Sequence, residues 1–234
     1  MQPNLKTIPA LTIMMLALLG CGGGGGDGEV KGTDSQVVAD ITSSNIQSWG
    51  NSASGTNRWV GVGSSAPQVS VFIPATSTPA EADLAAKSRL AIASINRKLG
   101  GSVLLSEVNS APASGGYMRV SYLTSYVPTG STDYASYCAN VSTGSGLPNP
   151  VDPTPISGSR NDKVAWLNLG NGRCDVTQNI VIHEMGHALG LNKHFQGFGF
   201  PDALSTQFWD VLATLYGNPV RTPAAQLMVR RAVE

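Results

Sequence analysis

All three histidines of this 234-residue chain fall within twelve consecutive residues, as His183, His187 and His194. The first two belong to the run His183-Glu184-Met185-Gly186-His187. No other feature constrains the fold as much. Residues four apart share a face on a helix, so both imidazoles can meet one metal ion if residues 176–189 are helical, with Glu184 projecting beside them towards a metal-bound water. The flanking residues agree with a helix. Asp175 with Gln178 resembles a capping box, Gly186 is the single glycine of the segment, which has no proline, and Gly190 stands where the helix should end. The run Ile180-Val181-Ile182 is apolar on every side, as expected of a helix buried through the middle of a domain.

Zinc suits this donor set. It takes nitrogen ligands tetrahedrally, and a hydrolytic site uses three protein ligands and leaves the fourth position to water. His194 is the candidate third ligand, because a left-handed Gly190 can send the chain sharply back. Asp202 and Asp210 are the carboxylate alternatives. Asp202 reads as a helix-approach residue and Asp210 as an ordinary polar position on a helix, so both rank below His194.

The pattern HExxHxxGxxxH resembles the metzincin metalloproteases, whose own pattern is HExxHxxGxxH followed by a methionine-containing turn. His183, Glu184, His187 and Gly190 match position for position. Lys193 occupies the family's third-histidine position and His194 lies one residue later, so the expectation is a loop with one extra residue in a divergent branch. The resemblance implies an α+β, metzincin-like catalytic domain with a mixed twisted sheet and an active-site helix bearing HExxH. It also implies a zinc-dependent endopeptidase in which Glu184 takes a proton from the activated water and returns it to the leaving amine. Met228 is the sole methionine after the motif, but it follows a predicted helix over 205–216 and reads as a core methionine rather than the family's turn. The same ligands would serve a hydrolase of cell-wall amides or peptides. A non-catalytic, surface-anchored binding lipoprotein is the alternative from another class, and it would not need Glu184 as a base.

Upstream, residues 69–74 (VSVFIP) alternate and are β-branched, which predicts a strand. Pro79-Ala80-Glu81 opens a helix with the apolar stripe Leu84, Leu90, Ile92, Ile95 and Leu99, ending at Gly100-Gly101. Two strand-like runs follow at 102–108 and 117–124, joined by a hairpin or crossover loop, then a Gly/Ser/Thr/Asn/Pro-rich surface excursion over 128–162. Residues 163–169 (KVAWLNL) form a further strand, equally a core strand or an edge to which an extended peptide could add. The loop holding Phe195, Phe198 and Phe200 reads as packing onto the domain in preference to lining a pocket.

Residues 1–20 form an export signal: Lys6 supplies the positive end, and the apolar run 8–19 is too short to span a bilayer. Leu18-Leu19-Gly20-Cys21 resembles the lipobox of bacterial lipoproteins, which implies a lipid anchor on Cys21 in preference to an ordinary cleaved signal. Gly22 rather than Asp after the cysteine looks like sorting to the outer membrane. Residues 21–36 then form a Gly-rich tether, and 37–234 have room for one domain. Removing Lys6 from fifteen basic and fifteen acidic residues leaves 14 − 15 = −1, which shows no nucleic-acid footprint. The expected partners are a peptide or protein substrate and, through Cys21, the membrane. Cys138 and Cys174 remain as a pair, and in an oxidising compartment a disulfide is the simplest reading, the alternative being two buried thiols.

Overall fold

The first described element is a helix, α1 (Asp34–Ile41), started by a reciprocal cap. The Thr33 hydroxyl accepts the Gln36 N–H at 3.3 Å and the Gln36 side chain accepts the Thr33 N–H at 2.7 Å. This helix already takes in residues 34–36, so the boundary expected at 37 falls inside it. The computed structural model describes residues 31–48, 55–61, 65–144, 164–199 and 204–234. The export signal, Cys21, most of the tether, Phe200 and Asp202 lie outside them.

Five strands make one mixed sheet: β1 (Gln68–Phe72), β2 (Leu104–Val108), β3 (Tyr117–Tyr122), β4 (Ala139–Gly144) and β5 (Val164–Leu169), in the order β2-β1-β3-β5-β4. All pairs are parallel except β4 with β5, so the fold is α+β with a mixed sheet. Both β2 and β3 pair with β1, which makes the connection between them a crossover rather than a hairpin. One expectation is corrected here and one open alternative is decided. The excursion over 128–162 contains β4, a polar strand (ANVSTG) that lacks the bulky alternation by which strands are recognised. And β5 is not an edge: it lies between β3 and β4 and is buried along nearly its whole length, so the antiparallel edge belongs to β4.

Val69, Val71, Met118, Val120, Ala165, Leu167 and Leu169 are buried in the core. The helix α2 (Pro79–Lys98) packs against β2 and β3 and alongside α3 (Gln178–Ala188), which packs against β4 and β5. The buried stripe of α2 is Leu84, Ala85, Ser88, Ala91, Ile92 and Ile95. Leu90 is 55% exposed, because at about 100° per residue it lies roughly opposite that stripe. The last helix, α4 (Thr206–Gly217), is buried along almost its whole length and packs on α1. From its end the chain returns in extended form. There Thr214 and Asn218 pair with the backbone of Arg230 and Met228.

A disulfide joins Cys138, just before β4, to Cys174, in the loop that leads into α3. No described helix is long and apolar enough to cross a membrane.

Candidate metal centre

The helix α3 starts at Thr177, whose hydroxyl accepts the Ile180 N–H at 3.2 Å. Asp175 is not the cap; its carboxylate faces Lys87 at 3.5 Å. One turn separates His183 from His187, and Gly186 between them is needed for packing. A Cβ there would stand 2.9 Å from the Phe208 ring and 3.2 Å from Phe198.

The helix ends in a Schellman motif. Leu191 N–H donates to Gly186 C=O, Gly190 N–H donates to His187 C=O, and Gly190 has φ +126°. A side chain could not stand at Gly190, since its Cβ would lie 3.0 Å from the Asn57 carbonyl and 3.1 Å from Asn45 Nδ2. This turn brings His194 back to the helix. The His183 and His187 Nε2 atoms lie 3.1 Å apart, and His194 Nε2 is 3.1 Å from the first and 3.3 Å from the second.

Donors placed tetrahedrally 2.0–2.1 Å from one ion lie about 3.3 Å apart, so this triangle has the size a small divalent cation requires. The protonation pattern agrees. His187 Nδ1 lies 2.6 Å from the Leu191 carbonyl, and a carbonyl can only accept, so Nδ1 carries the proton and Nε2 presents its lone pair. Burial, then the neighbouring His187 and His194, push His183 down to about 3, and burial lowers His194 as well, so both stay neutral as metal ligands must. Three converging lone pairs repel one another unless a cation stands among them. Among the described residues, these three are the group that could hold a metal ion.

Of the carboxylate alternatives, Asp210 is committed elsewhere. It accepts from Arg231 at 2.7 Å and from the Ala232 N–H at 2.9 Å. Glu184, 6% exposed, is pushed up to about 8 by burial alone. A divalent cation on the adjacent imidazoles would favour its ionised form.

The aromatic loop packs onto the domain in preference to lining a pocket, through its buried Phe198. Phe198 is fully buried beneath the histidines, stacked on the His183 ring at 4.4 Å and lying 4.9 Å from His187 and 5.5 Å from His194. It rests in turn on Phe208 at 5.1 Å. Its position comes from the tight turn Phe195–Phe198, in which the two residues exchange backbone hydrogen bonds. Met228 is not a core residue: it is 56% exposed on the C-terminal tail. Sequence reasoning could not select Phe198 among three phenylalanines in one loop, because the choice depends on which ring the turn directs inward.

No protein-family model matches the chain, and the comparison with curated proteins finds no match.

Proposed function

We propose that this chain is a zinc-dependent endopeptidase on a metzincin-like domain, exported and held to the cell envelope by a lipid on Cys21. The observation that carries the reading is the convergence of three Nε2 atoms within 3.3 Å of one another, with a buried glutamate next to His183 on α3. A zinc ion held by His183, His187 and His194 would supply positive charge that acidifies a water and polarises a carbonyl. Glu184 would accept the proton of that water and deliver it to the departing amine. Its enclosure raises its basicity, and a bound cation would favour its ionised form. His187 is held in the ligating tautomer by the Leu191 carbonyl. Among the described residues β4 is the last strand of the sheet, an edge to which an extended peptide could add. The Cys138–Cys174 disulfide supports an oxidising, exported setting.

The test is direct. The purified protein should hold about one zinc per chain by elemental mass spectrometry. Glu184→Gln should keep the metal and lose peptide hydrolysis by at least about a hundredfold, the loss expected on removing a general base. Metal retention with full activity on a peptide library in that variant would exclude Glu184 as the base. Failure to take up zinc at neutral pH would exclude the reading as a whole and favour a binding lipoprotein. Activity confined to cell-wall peptides or amides would keep the mechanism and change the substrate.

A further inference from the structure

The Schellman turn after α3 satisfies the Gly186 and His187 carbonyls from its own backbone. The next four carbonyls, at residues 188 to 191, lie beyond the helix ladder in a buried segment, where an unpaired C=O is costly. Each takes a side-chain donor. Trp59 Nε1 donates to Ala188 at 3.0 Å, the Tyr216 hydroxyl to Leu189 at 2.8 Å and Asn45 Nδ2 to Gly190 at 2.7 Å. The fourth donor is His187 Nδ1, to Leu191 at 2.6 Å. The first three come from three separate places in the chain: the end of the N-terminal helical segment, the stretch before β1, and α4. Asn45 is itself fixed, donating to the Asn57 carbonyl at 2.7 Å and accepting the Asn57 N–H at 2.9 Å.

We infer that Asn45, Trp59 and Tyr216 are positioning residues of the metal centre. They clamp the turn from three sides, so that its last carbonyl orients His187 and its exit returns His194 to the other two imidazoles. The clamp also makes the segment upstream of β1 part of the site. This inference rests on the metal-binding reading of the three histidines. It predicts that losing one distant N–H or O–H changes metal affinity, not stability alone.

The experiment titrates Co2+ into the metal-free full chain and into Trp59→Phe, Tyr216→Phe and Asn45→Asp, following the visible absorption of the bound ion. Trp59→Phe and Tyr216→Phe keep an aromatic ring and remove a single donor. Thr214→Val is the control, since it removes both hydrogen bonds of the Thr214 hydroxyl to the Arg230 backbone on the far side of α4. Each clamp variant should bind Co2+ about tenfold or more weakly, in the range seen for lost outer-shell partners, and should shift the absorption band. Thr214→Val should lose stability and keep the wild-type affinity and spectrum. If the wild type binds Co2+ and the clamp variants bind it as Thr214→Val does, the three residues are structural and this inference fails alone. If the wild type binds none, the metal reading fails and takes the inference with it.

Discussion

Glu184 and His183 are neighbours in sequence, yet burial drives their protonation equilibria in opposite directions, and the metal-free protein should show this as a stability profile. Glu184 is raised from 4.5 to about 8, so between those values the folded state holds a proton that the unfolded chain has lost, and stability falls as pH rises. His183 is lowered from 6.5 to about 3, so there the unfolded chain holds the extra proton and stability rises with pH. His194, also lowered, adds to that rise below 6.5. Metal-free protein should therefore be most stable near pH 6.5 and lose stability towards pH 8, with Glu184→Gln removing the decline. Thermal unfolding across this range checks it, and an undiminished rise to pH 8 would contradict the burial of Glu184. At Phe198, truncation to alanine removes the ring under all three imidazoles. We expect a loss of about 3–5 kcal/mol in urea unfolding, together with weaker zinc binding, whereas Phe198→Leu should recover part of both.

At the scale of elements, α3 was legible because one helix must serve both a ligand spacing of four and a buried apolar surface. Its start was displaced by two residues, since Asp175 and Thr177 are both good caps and the path of the chain out of β5 decides between them. The edge strand β4 was hidden for a different reason: its residues are polar, and its pairing to β5 lies in backbone hydrogen bonds that any side chain permits. The disulfide ties the start of β4 to the loop before α3 and so joins the edge strand to the helix bearing His183 and His187. Replacing both cysteines by serine should lower stability by about 4 kcal/mol, from the entropy of the 36-residue loop it closes. Amide exchange in β4 should rise at the same time, and unchanged β4 protection would show that the strand is held by the sheet alone.

Across the whole molecule, the two ends of the folded region hold one another. Arg231 on the extended tail pairs with Asp34 at the start of α1 and with Asp210 on α4, and also donates to the Gly32 carbonyl. The Asp210 side chain is 2% exposed, so its charge has little water to fall back on. Arg231→Ala should therefore cost about 3–5 kcal/mol, chiefly from leaving a buried carboxylate short of its cation. Arg231→Ala combined with Asp210→Asn should recover much of that loss, and denaturant unfolding of the single and double variants measures the difference. Arg58, also buried, donates to the Asn218 carbonyl twice, at 3.1 and 2.8 Å, which draws the stretch before β1 onto the end of α4.

The amino-acid sequence alone determined the helix bearing His183 and Glu184, the turn at Gly190 and the choice of His194. Each of these follows from local spacing or from backbone freedom at a single residue. The pairing of Cys138 with Cys174 followed from counting, once Cys21 was assigned to the export signal. What only the tertiary structure decided were the partners brought together from far along the chain: β4 as the edge, Phe198 as the floor of the site, Asp210 bound to Arg231, and Asn45, Trp59 and Tyr216 around the turn. Those contacts join residues as far as 145 apart, as between Asn45 and Gly190. No periodicity within a segment encodes them, because they depend on how separate elements pack around a shared core.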